Sequence, residues 1–135
     1  MTTNRPSNPS RLDHVRQLCL ALPGVTERMS HGEPAWFVGS KLFVTSADHH
    51  HDDRFGIWCA APEGAQEMLI KAAPGRFYRP PYVGSRGWLG AYLDVDIDWD
   101  EIEAVIYRAY RCVAPKRMLA EIDGQDASQQ TPLRG

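Results

Sequence analysis

Residues 25–46 read VTERMSHGEPAWFVGSKLFVTS, and their period decides the fold. Apolar and polar side chains alternate with a spacing of two over Val25–His31, Ala35–Val38 and Lys41–Ser46. Residues i and i+2 share a face only in extended chain, so these are three strands. Gly39-Ser40 joins the last two as a short hairpin connection. Between the first two, Gly32 and Pro34 interrupt the alternation, force a bend and leave His31 and Glu33 projecting from it. A His beside a carboxylate has the composition of a proton-transfer pair. The same His would equally serve to satisfy backbone groups at a kink.

The elements on either side follow from punctuation. Leu12, Val15, Cys19 and Leu22 recur on one stripe of a helix that Ser10 can cap and Pro23-Gly24 stops. His14 lies on that helix as a neutral, partly exposed side chain. Arg54–Ala60 reads as a further strand, with Phe55, Ile57 and Cys59 on one face and Trp58 on the other. Pro62 suits the first turn of a helix from about Glu63 to Ala72, with Met68, Leu69 and Ala72 inward. The tract Asp48-His49-His50-His51-Asp52-Asp53 has metal-ligand chemistry, but a hydrophilic hexamer between two strands is an ordinary loop tip, and no metal is expected there.

Asp94, Asp96, Asp98, Asp100, Glu101 and Glu103 give residues 94–103 a charge of −6. A helix following them accounts for it: Asp98 caps, Glu101 takes the capping-box position, and acids favour the positive end of the dipole. Ile102, Val105, Ile106, Ala109 and Val113 form its apolar face, and Pro115 kinks or restarts it before Met118, Leu119 and Ile122. The inward positions predict a core of Leu18, Cys19, Leu22, Phe43, Ile57, Leu69, Ile102, Val105, Ile106 and Val113. Residues 1–9 and 124–135 are polar and aperiodic, and are expected to be a disordered arm and tail around a single domain at 10–123.

The chemistry concentrates in Arg76–Leu93, RFYRPPYVGSRGWLGAYL. Lys71, Arg76, Arg79 and Arg86 give residues 71–90 a charge of +4, with no Asp or Glu, in a chain of formal net charge −2. Such asymmetry points to an anionic partner. Tyr78, Tyr82 and Trp88 lie between these cations, and flat rings beside guanidinium groups suit bases, phosphosugars or acidic aromatic ligands. A purely structural reading stands beside this one, a Pro-Pro turn followed by a Gly-flanked strand whose aromatics are core and rim. Gly84 and Gly87 fit a turn as well as close approach of a ligand.

The remaining bounds are set by composition. A chain of 135 residues, 43% hydrophobic and 24% charged, buries one core. Its apolar runs are far short of the roughly 20 residues that cross a bilayer, and no charged segment precedes an apolar one at the N-terminus, so a cytoplasmic protein without membrane contact is expected. Cys19, Cys59 and Cys112 are widely spaced within apolar segments and read as reduced core residues. A pI near 6.2 makes any nucleic-acid binding a matter of a local patch.

LPGVTERMSHGEPAWFVGSKLFV (22–44), PPYVGSRGWLGAYLD (80–94) and VAPKRMLAEI (113–122) together resemble the MmcQ/YjbR family of small bacterial proteins, over about Arg11 to Asp123. The combination of blocks in this order carries the resemblance. It implies a CyaY-like (frataxin-like) α+β fold, a single domain with an antiparallel β-sheet and the N- and C-terminal helices packed on one face, which the element order allows. It also implies DNA binding through a double-wing arrangement. The matching positions are His31, Gly32 and Pro34, then Tyr82, Gly84, Gly87 and Trp88, then Pro115, Lys116 and Arg117. Ser85 stands where a His is common, and Ala91-Tyr92 where a residue followed by Arg is common, so two donors for phosphate or base are missing.

Two functions are therefore expected, in this order. The first is a binding module in which His31, Lys41, Arg76, Arg79, Tyr82, Arg86, Trp88, Lys116 and Arg117 hold DNA weakly and salt-sensitively, cations on phosphates and rings on bases. The second is a small anionic-ligand site, or an enzyme, in which His31 and Glu33 move a proton and Arg79 or Arg86 holds the anion. No nucleophile, base and orienting group can be read together, and no cofactor is expected. A convex basic face would favour the first, and a cleft containing His31 and Trp88 the second.

Overall fold

The computed structural model describes residues 8–49 and 54–130, with side chains described to residue 124. Four helices and six strands follow in the order α1 (Asn8–Leu20), β1 (Val25–Ser30), β2 (Glu33–Val38), β3 (Lys41–Asp48), β4 (Phe55–Cys59), α2 (Ala65–Ala72), β5 (Phe77–Tyr78), β6 (Leu89–Tyr92), α3 (Trp99–Val113) and α4 (Lys116–Gln130). A short 3-10 turn, Val83–Arg86, lies between β5 and β6. All pairings are antiparallel, in the order β1-β2-β3-β4-β6-β5. The α+β single-domain expectation is met.

Register assigns the two faces of the sheet, since directly paired residues point the same way. Trp36, Val44, Cys59 and Leu89 form one row. That row faces the helices: Trp36 Nε1 donates to Glu27 Oε1 at 2.9 Å, and the same oxygen takes a 2.7 Å bond from Arg16 of α1. Phe43 meets Tyr110 of α3 edge-on at 5.8 Å, and Tyr110 Oη donates to Pro23 O at 2.7 Å. Thr45, Trp58, Gly90 and Tyr78 form the neighbouring row, on the opposite face.

Of the expected core, Cys19, Phe43, Ile57, Ile102, Val105 and Ile106 are buried, while Leu18, Leu22, Leu69 and Val113 pack half-buried at its margin. Three positions expected inward are exposed. Met68 and Ala72 are exposed rather than inward, because Ala65 and Gln66 are the buried residues of α2. Cys112 is exposed, whereas Cys19 and Cys59 are core, their thiols pushed far up by burial. Trp58 lies on the other face from Ile57 and Cys59, as expected, and is buried as they are. The helices also overrun their expected ends: α1 begins two residues before Ser10, and α4 runs past Gly124 to Gln130. The arm at residues 1–7, His50 and His51 of the His tract, and residues 131–135 lie outside the described residues. No described helix is long and apolar enough to cross a membrane.

The acidic run works as a helix start. Asp98 is the N-cap of α3 and accepts from the backbone N–H of Asp100 and Glu101, at 3.0 and 3.4 Å. Asp94 closes the preceding strand: Arg54 donates to its two oxygens at 2.7 and 2.8 Å, and Phe55 N–H adds a third bond. Arg54 holds the Asp94 carboxyl below its ordinary range, with the Phe55 N–H assisting against burial. A depressed native value stabilises the fold above the unfolded pKa of about 3.9 and loses that contribution as pH falls through the native value. Asp94→Asn should therefore flatten the acid limb of the urea midpoint between about pH 2 and 5. An acid limb identical to wild type would show that Asp94 titrates alike in both states.

Candidate functional site

On the sheet face away from α1, the segment between β5 and β6 folds back and encloses a cleft of about 330 Å³. Leu42 and Thr45 of β3, Trp58 of β4, Val83 and Trp88 form its walls, with Tyr82, Ser30, His31, Glu33 and Ser46 around them. Its size fits a small molecule of one or two rings. Among the described residues no Lys or Arg lines it.

Backbone conformation is unusual at two points of the lining. His31 has φ 54° in the β1–β2 turn, and Tyr82 has φ 63° and ψ −69°. Tyr82 is the centre of a γ-turn, with Val83 N–H donating to Pro81 O at 2.6 Å. The positive-φ form of that turn is the strained one. Strain of this kind costs about 1–3 kcal/mol per residue and gathers at ligand clamps. Here it turns Tyr82, 75% exposed, to the rim of the cleft.

The segment is held by α2. Gln66 is 7% exposed, and its Nε2 donates to Gly84 O at 2.9 Å and Trp88 O at 2.5 Å. One buried amide thus bonds a carbonyl inside the 3-10 turn and another just after it. Trp58 is fixed likewise, its Nε1–H donating to Tyr78 Oη at 2.9 Å, while Tyr78 stacks on Tyr92 at 4.4 Å. Gly90 is required for this, since a Cβ there would lie 2.4 Å from Tyr78 Cζ. Glu33 is oriented from behind: it accepts from Ser46 Oγ at 2.6 Å and Asp48 N–H at 3.4 Å. Among the described residues no hydrogen bond joins His31 to Glu33, so the expected proton-transfer pair is not formed.

The nine candidate residues are thereby divided. His31, Tyr82 and Trp88 meet at the cleft. Lys41 and Arg86 line a second groove, which shares Trp88 with it. Arg76 is removed from the set of available cations, since it donates to both oxygens of Glu101 at 2.9 Å. The Arg79 stem lies on Gly84, where a Cβ would be 2.7 Å from its Cγ, so the space left by that glycine admits a side chain and not a ligand. Lys116 and Arg117 are exposed on the first turn of α4 and line neither concavity. The +4 segment is consequently no single basic face. Gln66, Thr45 and Trp58 were not expected in the site. A Gln in a helix and a Trp in an apolar strand carry no signal of the distant groups they meet.

Among solved structures, a protein of Deinococcus radiodurans, DR2400, with a DUF419 domain, has the same fold at a TM-score of 0.66 and 16% identity, with 81% of this chain and 82% of that one covered. No curated protein matches. The YjbR family model matches residues 20–112, which include every strand, the cleft and the Gln66 tie. The chain belongs to the YjbR family.

Proposed function

We propose that this protein binds a small planar molecule in the cleft between the open sheet face and the 81–88 segment. The observation that supports this is a concavity walled by Trp58, Trp88, Leu42 and Val83 that also carries His31, Glu33 and the hydroxyls of Ser30, Thr45, Ser46 and Tyr82 in its lining. An apolar slot with a few convergent polar groups is the usual form of a small-ligand site. A DNA interface would instead array its cations over one surface, and Arg76 is engaged by Glu101 while Lys116 and Arg117 lie on α4.

N-phenyl-1-naphthylamine, a neutral two-ring fluorophore, should bind the full chain saturably and with one-to-one stoichiometry. Thr45→Trp, which fills the slot from β3, should weaken it by about tenfold or more, the loss of roughly 1.4 kcal/mol. Labelled duplex DNA titrated alongside should bind weakly and be released at about 0.15 M salt, where screening acts within roughly 8 Å. Tight DNA binding that persists at that salt, with no saturable uptake of the fluorophore, would reverse the order of the two readings.

A further inference from the structure

Leu42, Val83 and Trp88 line the cleft and also a second concavity of about 410 Å³, to which Lys41, Arg86, Cys112 and Val113 contribute. The two are chemically opposite. The first has Glu33 in its lining and no cation; the second has two cations and no carboxylate. Arg16, Arg54, Arg76 and Arg111, by contrast, are each in an ion pair with an acid. Among the described residues neither Lys41 nor Arg86 has such a partner. Arg86 Cζ instead stands 5.7 Å from the centre of the Trp88 ring. Both cations sit on restrained backbone: Lys41 opens β3 directly after the Gly39-Ser40 turn, and Arg86 ends the 3-10 turn that Gln66 ties down.

We infer that the Lys41–Arg86 groove is the anion-binding half of the same site, and that the ligand is a small aromatic acid, with a carboxylate, sulfonate or phosphate attached close to its ring. This rests on the cleft being the ring site, as proposed above. An anion placed among the apolar walls would be desolvated without a partner and repelled by Glu33, whereas across the shared Trp88 wall it meets two charged donors. Glu33 at one end and Lys41 with Arg86 at the other fix which way round the molecule lies.

The test uses two probes with one skeleton, neutral N-phenyl-1-naphthylamine and 8-anilinonaphthalene-1-sulfonate, titrated by fluorescence into the full chain at low salt. The sulfonate should bind about tenfold tighter, the contribution of roughly one charge-assisted hydrogen bond. The double variant K41A/R86A should reduce that advantage to about twofold or less while leaving the neutral probe's affinity in place. Thr45→Trp should weaken both probes; Ser30→Trp, which obstructs the slot from β1, is the second blocking variant if the first does not fold by circular dichroism. A sulfonate advantage that is absent, or that survives in K41A/R86A, would overturn the groove assignment while neutral binding sensitive to blocking leaves the cleft standing. Failure of both probes to bind, or binding that neither blocking variant weakens, would overturn cleft and groove together.

Discussion

Replacing Trp36 by Ala should lower the unfolding free energy by about 3–5 kcal/mol, against roughly 5–15 kcal/mol for a whole domain of this size. Trp36 is fully buried and is the largest of the fully buried side chains. It stands in the row that faces the helices, so its removal opens a cavity between sheet and helices that neither can readily collapse into. The transfer and cavity contributions are the larger part. The hydrogen bond to Glu27 is the smaller, because Glu27 is half-buried, keeps Arg16, and can take water in place of the indole. Trp36→Phe shifts the balance, since it keeps most of the volume while losing the N–H and the five-membered part of the indole, and should cost on the order of 1–2 kcal/mol. Urea denaturation of the three proteins measures this directly. A Trp36→Ala midpoint within about 1 kcal/mol of wild type would mean that the helix-facing row is not the core.

How far the sequence could be read depends on the range of the interaction involved. The strands of 25–46 were legible because alternation, a Gly-Ser turn and a His-Gly bend are all local, and they appear as β1, β2 and β3. The α3 start was legible for the same reason: Asp98 and the N–H groups it caps lie within three residues. Pairing order was less so, because β6 inserts between β4 and β5, and no pattern in a four-residue strand specifies its neighbours. Charge misled at Arg76, whose partner Glu101 lies 25 residues away and had been assigned to the capping box of the helix. Met68 was misread because α2 is eight residues long, and a phase error of about one residue moves a side chain from core to solvent. The Tyr82 turn was not legible at all, since a positive φ is ordinarily signalled by Gly or Asn and here is imposed by the surrounding segment. His31 and Trp88 were singled out from the residues and do meet at one cleft, but the walls opposite them, Thr45 and Trp58, come from strands that carry no chemical signal.

Gln66→Leu should abolish ligand binding more completely than it harms the fold. The substitution keeps the volume of the side chain and removes both donors, leaving Trp88 O without its buried partner and Gly84 O with only the Gly87 N–H. The orphaned Trp88 carbonyl costs about 1–3 kcal/mol if the segment stays in place. The segment need not stay. It also carries the strain of the Tyr82 γ-turn, so detaching it from the sheet relieves both penalties at once and exposes the carbonyls to water. Local opening is therefore the cheaper response. The melting midpoint should fall less than in Trp36→Ala, while the amides of Gly87 and Trp88, which donate to Gly84 O and Val83 O, exchange faster. Affinity for N-phenyl-1-naphthylamine should drop by about tenfold or more, because Val83, Tyr82 and Trp88 no longer close the cleft. Gln66→Glu is the stringent companion, since it is nearly isosteric, cannot donate when ionised, and would bring a charge against two carbonyl oxygens. Wild-type probe affinity and amide protection in both variants would show that something other than Gln66 holds the segment on the sheet.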